Sequence, residues 1–359
     1  MRHPTLPGSR TALALAFLVA LWVATPACAQ DGGKGKNAAQ REAAKQRIDE
    51  LNAKVGQLYD AGKYKEAKPI AEQALALAEK ALGPDDPETA TSLNSLAGML
   101  QAMGDLNGAR PLYERALAIR EKALGPDAPR TATSLDNLGG LLYAMGDLEA
   151  ARPLMERALA VYEKSLGPDH PHVALSLNSL ANALQGLGDL EGARPLFERA
   201  LAIKEKTLGP DHPSTATGLD NLGSLLQAMG DLKAARPLYE RAVAIYEKSL
   251  GPDHRDLATA VDHLARLLYA LRDFKGARPL FERALAISEK VAGPDHPSTA
   301  TRLHNLGGVL KAIGDLEGAR PLFERALAIR EQALGADDPK TTATRKALDA
   351  VIKGLNEGK

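Results

Sequence analysis

Apolar residues along this chain fall on a helical stripe, stop, and start again. Leu135, Leu138, Gly139, Leu142 and Met145 follow one another at intervals of 3, 1, 3 and 3 residues, the spacing of one helix face. Leu148, Ala151, Leu154, Met155, Ala158, Leu159 and Val161 resume the pattern. Between them stands Gly146-Asp147, a helix stop followed by an N-cap residue. The spacing predicts a helix A over about 131–145 and a helix B over about 148–166. The pair then recurs. A loop glycine stands at Gly83, Gly125, Gly167, Gly209, Gly251, Gly293 and Gly335, always 42 residues apart. Most of these loops read Gly-Pro-Asp-x-Pro, which ends one helix at glycine and opens the next with proline. The turn pair Gly-Asp recurs at 104–105, 188–189, 230–231 and 314–315, whereas one turn reads Arg272-Asp273 and should be the most strained.

Two short helices with one apolar stripe each cannot bury that stripe alone, so neighbouring pairs must stack. Small residues on helix A (Ala97, Gly139, Ala181, Gly223, Ala265, Gly307) allow close approach of helix axes. The first pair departs from the pattern, with Lys54 and Ala71 at two otherwise large apolar positions, and suits a terminal cap. Residues 336–359 repeat half of helix A, with Leu348 and Ile352 in core positions and Arg345 in place of the first leucine, and read as a polar capping helix. A proline recurs inside each helix B, from Pro69 and Pro111 to Pro321, early enough that the missing N–H costs little. It implies a small repeated kink.

The pattern L-x-x-L-G, then L-x-x-x-G-D-L-x-x-A, then a large apolar residue and A-L, resembles the tetratricopeptide repeat. The 42-residue length and the L-G-P-D-H-P linker resemble the kinesin-light-chain type. The resemblance covers residues 48–335 as seven repeats. It implies an all-α fold, a right-handed α-α superhelix of about seven helix pairs with a C-terminal capping helix.

Residues 1–29 have the form of a secretory signal. Arg2 and Arg10 precede an apolar run from Thr11 to Ala24, and Ala27-Cys28-Ala29 forms a cleavage site before Gln30. The run is too short to span a bilayer as a helix. The expected product is an exported chain, periplasmic or secreted; a lipid on Cys28, the one route to a membrane, is the alternative. Residues 30–47, rich in Gly, Lys, Gln and Ala, read as a linker that turns helical toward Arg47.

Formal net charge is zero, which gives nucleic acid no basic stripe. The single cysteine leaves no disulfide framework. Asp-His pairs at 169–170, 211–212, 253–254 and 295–296 contain metal-ligating residue types. However, they lie a repeat apart and cannot converge on one ion, so each histidine reads as a cap or turn residue. Arg152 and Glu156, with their equivalents, read as i,i+4 pairs on a solvated face. No phosphate loop, nucleophile elbow or His-x-x-x-His helix is present. No catalytic residue, cofactor, metal or small-molecule substrate follows from the sequence.

The positions that vary lie on helix A, away from its stripe. They are Asn94 and Gln101; Asp136 and Tyr143; Asn178, Asn182 and Gln185; Asp220 and Gln227; Asp262, Arg266 and Tyr269; His304 and Lys311. Beside them stand Asn137, Asn221 and Asn305. The resemblance implies that this face lines a concave groove, where ladders of asparagine bind the backbone of an extended peptide. An amide can match a peptide group in both donors and acceptors. A solvated face, or asparagines bonded to nearby backbone, is the plainer reading. The sequence thus favours a non-enzymatic scaffold that binds a peptide or protein segment. A lipid-tethered structural part of an envelope assembly is the other hypothesis.

Overall fold

The computed structural model describes residues 34–358. The leader at 1–29, with its cleavage site and Cys28, lies outside them. Every regular element is an α-helix among the described residues, and each odd-numbered helix is a helix A, each even-numbered one a helix B. The chain divides into two compact units at Asp189/Leu190.

The first unit holds α1 (Lys34–Asp60), α2 (Tyr64–Ala81), α3 (Pro87–Ala102), α4 (Leu106–Leu124), α5 (Pro129–Met145), α6 (Leu148–Leu166) and α7 (Pro171–Leu187). Consecutive helices pack antiparallel, and each helix A also meets the next helix A. Its core joins Leu93, Ala116 and Ile119 in one cluster and Val55, Ala67, Leu96 and Met99 in another. Helix A starts two residues earlier than the stripe alone suggests, at Pro129, because proline fits the first helical position.

The linker reading of residues 30–47 is corrected from Lys34 onward, where α1 begins. Ala, Gln, Lys, Arg and Glu are strong helix formers. They need no apolar stripe once Ile48, Leu51 and Val55 anchor the same helix by burial. Lys54 is exposed on that helix, as a cap requires.

The second unit holds α8 (Leu190–Leu208), α9 (Pro213–Ala228), α10 (Leu232–Leu250), α11 (Arg255–Ala270), α12 (Phe274–Val291), α13 (Pro297–Ala312), α14 (Leu316–Leu334) and α15 (Pro339–Glu357). Its core runs through Leu268, Phe281, Leu303, Leu306, Phe323 and Val351. Gly223 shows why small residues recur on helix A. A methyl group there would lie 3.0 Å from the ring of Tyr239. In α15, Leu348 is buried, while Arg345 reaches Glu331 at 2.7 Å, so the cap covers the last pair with a polar rim.

The loops are built as the sequence indicates. His170, His212, His254 and His296 are N-caps, each accepting at Nδ1 from the backbone N–H two residues on. Arg272 is the only non-glycine with positive φ among the described residues, at 62°.

Candidate ligand-binding face

Helix B carries its exposed arginines in closed pairs. Within a helix, Arg110–Glu114, Arg152–Glu156 and Arg236–Glu240 meet at 2.7 Å. Between repeats, Arg115 reaches Glu79, Arg157 reaches Glu121 and Arg241 reaches Glu205, each at 2.6 Å. Lys122–Asp85, Lys164–Asp127 and Lys248–Asp211 add a third row at 2.8, 2.6 and 2.7 Å. Each exposed pair contributes little, about 0–1 kcal/mol. Together they match the exposed arginines of this face with carboxylates.

On the helix A face, the inner row faces a neighbouring helix A instead of open solvent. Asn94 is buried and donates to Ser134 Oγ at 3.2 Å. Asp136 accepts from Ser176 Oγ at 3.1 Å. Asp220 accepts from His263 Nδ1 at 2.9 Å. Asp262, also buried, accepts from Asn305 Nδ2 at 3.0 Å. His304 meets Thr344 Oγ1 at 3.3 Å. The partner stands 40 residues ahead where that position is Ser or Thr. Where it is Ala260 or Arg302, the bond moves to the residue 43 ahead, His263 or Asn305.

Most members of the expected asparagine ladder thus have partners within the protein. Asn94, Asp136, Asp220, Asp262, His304 and Asn305 are bonded between repeats, and Asn182 donates to the Asn178 carbonyl of its own helix at 2.9 Å. Asn178 and Asn221 are likewise engaged. Gln101 and Gln227 accept from Tyr113 and Tyr239 of their own repeat, at 3.1 and 3.3 Å. The half-buried Asn137 and Gln185 complete this row. The side chains of this face that stand exposed are Tyr143 and Tyr269, with Arg266 and Lys311. Where helix B offers Met155, Phe281 or Phe323 in place of Tyr113 or Tyr239, no phenol reaches across. The helix A residue there is Tyr143, Tyr269 or Lys311.

Sequence reading missed a second variable position, on helix B, which closes the same junctions. Arg120 is buried and donates to Arg130 O at 2.8 Å, Ser134 Oγ at 3.0 Å and Thr91 Oγ1 at 3.1 Å. Burial lowers its pKa to about 10. At the equivalent site Tyr162 bonds Thr133 at 3.0 Å, Tyr246 bonds Thr217 at 2.8 Å, and Arg330 bonds Lys340 O at 3.0 Å. The two positions are coupled. Asn94 and His304 go with Arg120 and Arg330, whereas Asp136, Asp220 and Asp262 go with Tyr162, Tyr246 and Ser288. A cation from helix B and a carboxylate from helix A do not occur together in these five junctions. Pairing a neutral helix A residue with each helix B cation is the readable signal.

The junctions also set protonation. Burial raises Asp136 to about 7, against a weaker opposing bond from Ser176. Burial lowers His304 to about 4, helped by nearby Arg330. For His263, burial alone would lower the pKa, but the Asp220 carboxylate outweighs it and the pKa is raised.

No group of three or more His, Cys, Asp or Glu side chains able to hold a metal exists among the described residues. No described helix is long and apolar enough to cross a membrane.

The sequence profile of the tetratricopeptide repeat family matches six overlapping segments, 51–122, 93–164, 131–206, 172–248, 214–290 and 255–332. No curated protein matches the chain. Among solved structures, nearly identical TPR-like repeats assigned to kinesin light chain in Podosopora anserina are 30% identical; the match covers 57% of this chain and 96% of that one, with a TM-score of 0.50. A tetratricopeptide repeat protein from Parabacteroides merdae is 19% identical over 86% of this chain and 99% of its own, with a TM-score of 0.52. Apo RapI is 15% identical over 80% of this chain and 98% of its own, with a TM-score of 0.60.

Proposed function

Because the chain belongs to the tetratricopeptide repeat family, of the kinesin-light-chain-like type, we propose that it is a non-enzymatic scaffold that binds an extended protein segment on its helix A face. The observation that carries this reading is the contrast between its faces. The exposed arginines of helix B are closed in pairs, whereas Tyr143, Arg266, Tyr269 and Lys311 stand exposed on helix A. Tyrosine supplies contact area at little entropic cost, and arginine supplies charge. The half-buried Asn137 and Gln185 add amide groups. Inner-row residues hold repeats together and shape the face without contributing ladder bonds to a ligand. A fold neighbour, Rap protein, has been solved with competence and sporulation factor bound; its 14% identity makes it an illustration of what such a fold can hold.

The protein acts outside the cytoplasm in this reading, released after Ala29 by the leader pattern of residues 1–29. Intact mass of the exported chain tests this; a lipid on Cys28 would favour the tethered envelope component. For binding, a photo-crosslinking amino acid is placed at Tyr143 or Tyr269, and in parallel at Arg152 or Arg236, in cells producing the full chain. Adducts from the tyrosine sites alone are the expected result. Adducts from the arginine sites alone would move the binding surface to helix B.

A further inference from the structure

One buried cation of helix B takes no part in the junction bonding. The position held by Arg120, Tyr162, Tyr246, Ser288 and Arg330 is Lys204 in α8, which is only 6% exposed. Arg120 and Arg330 each donate to a hydroxyl 14 residues on, Ser134 and Thr344. The residue 14 on from Lys204 is Gly218 in α9, which has no hydroxyl. A methyl group built on Gly218 would lie 3.6 Å from Lys204 Cδ and 3.2 Å from Leu201 Cδ1, so the stem of the lysine runs over bare helix backbone beside a leucine. Lys204 forms no hydrogen bond or ion pair among the described residues. The acids near it in sequence are committed elsewhere: Glu205 meets Arg241 at 2.6 Å and Asp211 meets Lys248 at 2.7 Å. A guanidinium in such a place would stay charged, whereas an ammonium can release its proton. Burial, opposed by no nearby charge, lowers the Lys204 pKa to about 8. Roughly a tenth of it is then free amine at pH 7, against less than roughly one part in a thousand for an exposed lysine.

We infer that Lys204 is a covalent capture site for small neutral aldehydes, which it holds as an imine. The amine lone pair forms the C–N bond while the C=O π pair moves to oxygen. The two amine protons leave with that oxygen as water, and a C=N bond remains. No oxidant or reductant is needed. The same surroundings that disfavour the ammonium favour a neutral imine. They offer no partner to a charged carbonyl compound, and the 6% exposure admits only a small one. This site is independent of the helix A ligand face.

The full chain is incubated with propanal and sodium cyanoborohydride at pH 7, and the N-propyl groups are located by peptide mapping. The mapping also separates the α-amine, whose ordinary pKa is itself near 8. Lys204 is expected to react at least tenfold faster than the exposed Lys233 and Lys275. That preference should shrink as pH is raised toward 10, where exposed lysines lose their protons too. Lys204→Met keeps the stem without the amine and should abolish the fast phase while Lys233 and Lys275 react as before. Gly218→Ser restores the hydroxyl of the Arg120 and Arg330 junctions, with Leu201 Cδ1, the end of a flexible side chain, making room. It should slow Lys204 at least threefold with helicity unchanged. Lys204 reacting no faster than Lys233 and Lys275 would overturn the inference. So would an unchanged rate in Gly218→Ser, since the missing hydroxyl would then not be what leaves the amine free.

Discussion

The helix B and helix A faces solve the same problem of exposed polar residues in opposite ways. Helix B repeats one answer: Arg110–Glu114, Arg152–Glu156 and Arg236–Glu240, the same pair at the same 2.7 Å. Helix A changes its answer at each junction, from Asn94–Ser134 to Asp136–Ser176 to Asp262–Asn305. Exposed pairs are nearly interchangeable in energy, so nothing forces them to differ. Buried polar groups must each find a partner, and leaving one unmatched costs about 1–3 kcal/mol. Variability on helix A therefore has two sources. Part of it matches one repeat to the next, and the remainder, chiefly the exposed Tyr143, Arg266, Tyr269 and Lys311, takes no part in that matching.

The comparison is sharpest when one side chain of each face is reversed or removed. Arg120→Glu would point a carboxylate at the Arg130 carbonyl and Ser134, and should cost about 3–5 kcal/mol by urea denaturation, as for breaking a buried charged contact. Asp136→Asn should act next most strongly and with the opposite sign. Its folded pKa of about 7 stands above the unfolded 3.8, so its contribution is most favourable below 3.8 and is lost as pH rises through 7. The asparagine variant should be more stable than wild type at pH 8, by about 1–2 kcal/mol after allowing for its partial exposure, and the two should converge near pH 4. His304 runs the other way. Its folded pKa of about 4 lies below 6.5, so its contribution is present above 6.5 and lost as pH falls toward 4. His304→Asn should flatten the acid limb of thermal stability measured between those values.

Smaller effects come from the turn and from helix B. Arg272→Gly relieves a positive φ and should stabilise by about 1 kcal/mol, read as a higher melting temperature. An unchanged or lower value would show that the arginine makes compensating contacts. Arg152→Ala should change stability by no more than about 0.5 kcal/mol.

The helix pairs were legible in the sequence because glycine stops, Asp-capped turns and first-turn prolines recur every 42 residues. α1 was not, since Lys34 to Arg47 has helix propensity without periodicity and gains its order from Ile48 and Val55 further along. The direction of Asp136 and Asp262, away from the apolar stripe of helix A, was also legible. What stands there was not, because a helix wheel describes one helix and the partner belongs to the next repeat. Ser176 and Asn305 were visible all along at 40 and 43 residues' distance. Reading Asp220 together with His263, or Asn94 with Arg120, would have turned the ladder into a set of junctions. Tyr143 and Tyr269 came out as exposed because aromatic residues at a polar position have no buried partner to satisfy.

The central claim is that the inner row of helix A joins repeats. A double-mutant cycle on Asp262 and Asn305, bonded at 3.0 and 3.2 Å, tests it most directly. Asp262→Ala, Asn305→Ala and the double variant are unfolded in urea alongside wild type, without any ligand. A junction with a charged acceptor predicts that both single variants are destabilised, with a coupling energy of about 1.5–3 kcal/mol. Single variants within about 0.5 kcal/mol of wild type and a coupling near zero would contradict it, and would return both side chains to the ligand face.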